Sequence, residues 1–178
     1  GSALFLMSCK KTVEVTEDTN EGLMTQQADS LVIIQSEKGN KKTRFETPLL
    51  EAYDYAKEPY REFRKGIDIV TYDSIGGVES TLIADYAIEF INQQLWEVKG
   101  NVVATNADGN MLETQQLFWN RKTGKIYSNI DSKVTQNNGE LVVTGTGFES
   151  DEKLKDWEFR RTRGRALVDV EPNRGQDN

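Results

Sequence analysis

What most limits this chain is its punctuation. Turn signals recur along it: "EKGN" at 37–40, "SIGG" at 74–77, "NADG" at 106–109, "RKTG" at 121–124 and "QNNG" at 136–139. Each supplies Gly, Asn or Asp where the backbone must turn. The segments between them, such as "SLVIIQS", "GIDIVTYD", "STLIADYAIEF", "QLWEVKGNVVAT" and "ELVVTGTGF", are rich in Val, Ile, Thr and aromatic residues, the composition of strands. In one of them Ile67, Ile69 and Thr71 alternate with Asp68, Val70 and Tyr72, so one face can be buried. Only 49–65, "LLEAYDYAKEPYREFRK", invites a helix, and Pro59 with the Tyr/Phe content turns it toward strand and loop. The expectation is an all-β fold of antiparallel strands.

The strands also echo one another. "STLIADYAIEF", "NMLETQQLFW" and "ELVVTGTGFES" align on Ala84, Thr114 and Thr144 at a spacing of 30 (114−84 and 144−114). An earlier copy, "TRFETPLLEAY", aligns on Thr47. Two residues before each aligned position stands an apolar residue: Phe45, Leu82, Leu112 and Val142. A fixed period of this kind implies strand pairs stacked along an axis. Stacked units that do not close leave a groove between two facing sheets. Alternation places Phe45, Leu82, Ala84, Leu112, Thr114, Val142 and Thr144 on its inner face. Open stacks also leave free strand edges, which can add a partner's strand. The candidates are residues 31–36 at one end and 140–147 or 154–161 at the other.

Composition narrows the chemistry. The chain contains no histidine and one cysteine. A Ser-His-Asp triad, a Cys-His dyad and a Cys/His zinc site are therefore excluded. Carboxylate-only hydrolysis needs a close pair in a cleft, and no spacing nominates one. The expectation is no enzyme, no cofactor and no metal. A formal net charge of −7 gives no basic patch for nucleic acid.

The single cysteine follows an apolar run in "GSALFLMSCKK". That run is too short to cross a bilayer, which takes roughly 20 apolar residues. Leu6-Met7-Ser8-Cys9 resembles the cleavage box of bacterial lipoproteins, in which the cysteine is lipidated. Residues 1–9 then read as the remnant of a lipoprotein signal, 10–28 as a polar tether, 29–165 as the folded domain and 166–178 as a disordered tail. The basic run "FRRTRGR" at 159–165 reads as solvated rather than as a phosphate site.

The stretch from "LETQQLFWNRKTGKIYS" (Leu112–Ser128) through "VTQNNGELVVTGTGFESD" (Val134–Asp151) to "LKDWEF" (Leu154–Phe159) closely resembles the periplasmic domain of the LptC family. "FRKGIDIVTYDSIGGVESTLIADYA" (Phe63–Ala87) is similar to the start of that domain. The resemblance implies a twisted, open β-jellyroll. It implies that acyl chains of lipopolysaccharide bind between the sheets. It also implies two partners: an inner-membrane ABC transporter that supplies the lipid, and a periplasmic bridge protein joined edge to edge. Many members of the family are anchored by a transmembrane helix. Here a lipidated Cys9 would take that role, placing the domain in the periplasm at the inner membrane. A competing reading is a membrane-anchored β-sandwich that binds glycans, with Trp96, Trp119 and Trp157 as stacking platforms.

Overall fold

The computed structural model describes residues 23–168. Cys9 and most of the expected tether lie outside these residues, as does the stretch from 169 onward. Twelve strands follow one another: β1 (Gln26–Glu37), β2 (Asn40–Tyr53), β3 (Tyr60–Phe63), β4 (Ile67–Tyr72), β5 (Val78–Ala84), β6 (Tyr86–Phe90), β7 (Leu95–Asn106), β8 (Met111–Asn120), β9 (Lys125–Ser128), β10 (Ser132–Gln136), β11 (Leu141–Asp151) and β12 (Trp157–Leu167). A single 3-10 turn, Asn137–Gly139, joins β10 to β11. Every ladder is antiparallel. This is the expected all-β architecture. The segment 49–65 divides into the end of β2, a turn and β3.

Six long strands organise the rest. β2 pairs with β4 through its first half and with β3 through its second. β7 pairs with β6 and then with β5. β8 and β11 each pair with β10 through their first halves and with β9 through their second. β1 accompanies β2 throughout, and β12 accompanies β11. Each long strand thus belongs to two layers and bends where it passes between them. The bends carry residues suited to them. β1 has Ser30 at φ 48°, opposite Pro48 of β2, whose ring removes a ladder donor. β7 has Gly100 and Asn101 in left-handed conformation at a register shift, a bulge that sharpens the turn of the sheet.

The two layers close on each other around one core. Phe45 of the first layer lies 5.4 Å, ring centroid to centroid, from Trp96 of the second. Phe63 stacks on the same indole at 5.3 Å. Trp96 is 2 % exposed, and its Nε1 has no hydrogen-bond partner among the described residues.

Three boundaries differ from expectation. β1 begins at Gln26, inside the stretch read as tether. The basic run 159–165 is part of β12, hydrogen-bonded to β11; its alternation is masked in sequence because an edge strand has little to bury. Finally, 140–147 offers no free edge, because β11 is flanked by β10, β9 and β12. Among the described residues the outermost strands are β1 and β12.

Candidate functional site

The first layer carries a continuous line of apolar side chains on its inner face. Ile33 opposes Phe45, Phe45 opposes Ile69, and Ile69 opposes Leu82. Leu82 opposes Ala104, Ala104 opposes Leu112, Leu112 opposes Val134 and Val134 opposes Val143. One residue from each successive strand thus builds a row that crosses the whole sheet. At the β12 edge it meets Arg165.

Three of the expected groove residues, Phe45, Leu82 and Leu112, lie in this row. Phe45 and Leu112 are buried, Leu112 at 1 % exposure, while Leu82 is half-buried against the same core. Val142 does not join them. Leu141 and Val143 are buried, and Val142 and Thr144 turn to the other face. The alignment at a spacing of 30 is one residue out of phase here, because the Asn137–Gly139 turn, with Asn138 at φ 55°, sets the register of β11. A slip of one residue exchanges the faces of a strand.

The threonines of the repeat have another role. Thr47 Oγ1 donates to the carbonyl of Gly66, 2.8 Å away, at the β3–β4 corner. Thr114 Oγ1 donates to the carbonyl of Asp131 at 3.2 Å and accepts from Ser132 Oγ at 3.0 Å, at the β9–β10 corner. Both side chains are buried. Each satisfies polar groups where a short hairpin passes between the layers, as buried polar atoms require. The repeated pattern of an apolar residue, any residue and threonine therefore encodes one core position and one corner. Ala84 is buried at the β5–β6 corner without a hydroxyl to contribute.

The second layer faces this row with aromatic side chains. Trp96 opposes Trp119, and beyond Ile126 and Ser150 the line reaches Trp157. All three tryptophans therefore occupy one inner row. Trp96 offers no exposed face, so the set does not form a surface platform for sugars. Phe118 and Tyr127 pair across β8 and β9 with ring centroids at 5.1 Å, packing strand against strand.

Between the layers a cavity of about 650 Å³ opens, with Ile69, Leu82 and Ala104 on one wall and Trp119 and Ile126 on the other. Small-ligand sites occupy about 300–1,000 Å³. Its mouth is polar. Thr43, Thr71 and Ser80 follow one another across the sheet there, and Thr71 and Ser80 share a hydrogen bond. The Arg121 guanidinium lies over the Trp119 ring at 5.4 Å. Lys42, Asp73, Glu79, Glu152 and Lys153 add charge to the lining. Outside it, on the β3–β6 ladder, Glu89, whose side chain is 14 % exposed, stands 3.7 Å from Arg61. Burial pushes its carboxyl above the usual carboxylate range, and Arg61 and Arg121 pull it partly back. An apolar interior behind a charged rim suits an amphiphile, with chains inside and a polar head at the mouth.

The sequence reading missed the wall at the far end. The β11–β12 loop folds over the cavity there, and Leu154 is 4 % exposed. Its pattern is that of any charged loop, "DEKLKD", with a single leucine to mark it. Among the described residues no cluster of acidic or cysteine side chains could hold a metal ion, and no helix is long and apolar enough to cross a membrane.

A family model described as "Lipopolysaccharide-assembly, LptC-related" matches residues 8–165, most of the chain. No curated protein matches it.

Proposed function

This chain belongs to the LptC-related family of lipopolysaccharide-assembly proteins, and from that membership we propose that it carries lipopolysaccharide by holding acyl chains between its two sheets. Membership makes it a component of lipopolysaccharide assembly in the cell envelope. The observation that carries the finer reading is the cavity of about 650 Å³ lying over the apolar row at Ile69, Leu82 and Ala104. A row built from one residue per strand gives a linear chain a path across the sheet. The hydrophobic effect rewards burial of each methylene by about 0.8 kcal/mol. The charged rim would meet the sugar and phosphate end of the lipid.

In this reading the lipid arrives from an inner-membrane ABC transporter, whose ATP hydrolysis drives the flow. It leaves toward a periplasmic bridge of similar architecture. The two outer strands suit edge-to-edge joining with those partners. Among the described residues β1 pairs along one side only, with β2, and β12 likewise with β11. A lipidated Cys9 would hold the domain at the inner membrane, and Cys9→Ala would release it from the membrane fraction.

Leu82 and Ile83 supply the test. They are neighbours on β5 with opposite orientations: Leu82 lines the cavity, and Ile83 is 47 % exposed on the outer face. A photoreactive residue at each position, in cells making lipopolysaccharide, separates an inner path from an outer one. The expected result is a lipopolysaccharide adduct at Leu82 and none at Ile83. Equal labelling, or labelling at Ile83 alone, would exclude the inner path.

A further inference from the structure

The apolar row runs the full width of the first sheet, but the cavity does not. It stops at Leu154. On the far side of that side chain the apolar walls close into a seam too tight for a water molecule, lined by Leu112, Val134, Phe148 and Trp157. Leu154 borders both cavity and seam. It is therefore a partition between the half of the row under β4, β5 and β7 and the half under β8, β10 and β11.

The loop that carries it is fastened on several sides by polar contacts. Asn106 Nδ2 donates to the carbonyls of Lys153 and Leu154 at 3.0 and 3.2 Å. Asn110 Nδ2 donates to the Leu154 carbonyl at 3.3 Å. Trp119 Nε1 donates to Glu152 at 2.8 Å, across the cavity mouth. Lys153 Nζ lies 3.4 Å from Glu79. The fastening holds Leu154 at φ 55°, a conformation that branched and bulky residues rarely adopt. A leucine in a left-handed conformation persists only where its surroundings over-determine it. Here the surroundings are the buried Asn106 amide and, nearer the surface, the Lys153–Glu79 pair, which is weak on its own, around one apolar side chain.

We propose that the Glu152–Asp156 loop is a gate within the lipid path, with Leu154 as its plug. This rests on the lipid-carrying reading above. Closed, the loop confines an acyl chain to the cavity between Leu82 and Trp119. Open, it withdraws Leu154 and vacates the space between the cavity and the seam over Leu112 and Phe148, so that the chain can part the seam and advance toward β12. The plug thus gives the groove two compartments in series, the first next to β4 and β5 and the second next to the outer strand.

Photocrosslinking with purified lipopolysaccharide as the probe tests the gate. A photoreactive residue at Leu82 reports the first compartment. A photoreactive phenylalanine analogue at Trp157, which keeps an aromatic ring, reports the second. Each is placed in three backgrounds: the native loop, Leu154→Ala, and Glu152→Ala combined with Lys153→Ala. The double variant trims only the fastenings and keeps the plug itself, so it guards against a loss of fold in Leu154→Ala. The expected result is labelling at Leu82 in all three. Labelling at Trp157 should be weak with the native loop and several-fold stronger in both loop variants. Equal labelling at Trp157 in all three backgrounds would overturn the gate while leaving the lipid path intact. Absence of labelling at Leu82 in every background would instead overturn the lipid path, and the gate with it.

Discussion

The inner face of the first sheet is aliphatic apart from Phe45, and that of the second is largely aromatic. Ile33, Ile69, Leu82, Val134 and Val143 line the one; Phe63, Trp96, Trp119, Phe148 and Trp157 line the other. The aromatic rings stack in chains, Phe63 on Trp96 and Trp96 on Trp119, so each ring fixes the next. The aliphatic residues stand as partners across the ladder and pack against the same core. The difference assigns separate duties. A stacked aromatic layer is a rigid floor whose loss unfolds the domain. A row of aliphatic side chains, half-buried at Leu82, can trade contacts with a passing chain at little cost to the fold.

The most severe way to probe that contrast is to remove the floor. Trp96→Ala deletes a buried ring that stacks on three others. Substitutions of this kind in cores cost about 3–5 kcal/mol, which urea denaturation would read as a large fall in midpoint. Trp96→Phe should cost much less, because the lost indole also removes a buried donor that has no partner among the described residues, and such donors cost about 1–3 kcal/mol. If the two variants were equally unstable, stacking would not be what the ring contributes.

A second effect, of intermediate size, concerns the end where both layers share β11 and β12. A Cβ at Gly145 would stand 2.8 Å from the Phe159 ring and against the Arg161 carbonyl, so only hydrogen fits between the strands. Overpacking of this kind costs about 1–3 kcal/mol. Gly145→Ala should therefore speed amide exchange along Trp157–Leu167 while leaving β2 and β4 protected. Uniform loss of protection would mean that β12 does not behave as a separate unit.

These two sites also mark what could be read in the sequence. The repeat identifies Phe45 and Leu112 because an apolar residue and a corner threonine recur at a fixed offset, and both halves of that signal are enforced by burial. It fails at Val142 because a one-residue change in the turn before β11 is silent in composition yet reverses the strand. The last strand is hidden for another reason: four arginines, Arg160, Arg161, Arg163 and Arg165, belong to an edge, where backbone pairing decides the structure and side chains need no alternation. Leu154 is hidden because its burial comes from contacts with Asn106 and Asn110, more than forty residues earlier. No local pattern carries that information.

Leu82→Ala tests the aliphatic side. The residue is half-buried, so truncation should cost only about 1 kcal/mol in a thermal melt. Lipopolysaccharide retention should fall several-fold, and by more than in Ile83→Ala. A loss of stability like that of Trp96→Ala would merge the two sheets into one ordinary core.

The smallest effect lies at Glu89, on the β3–β6 ladder of the aromatic sheet. Burial raises the Glu89 carboxyl above its ordinary value, against the pull of Arg61 and Arg121. The folded protein then holds this proton more tightly than the unfolded chain does. By linkage, stability falls as pH rises wherever the native state binds more protons. Glu89 is therefore least costly below its unfolded value, and its burial penalty is complete once pH has risen past its folded value. Glu89→Gln has no such titration. Between pH 4 and 7 the variant should gain on the wild type as pH rises. Chemical denaturation of both proteins across that range reads the difference. A gain in the opposite direction would mean that Arg61 and Arg121 outweigh burial, and that the fold prefers Glu89 charged.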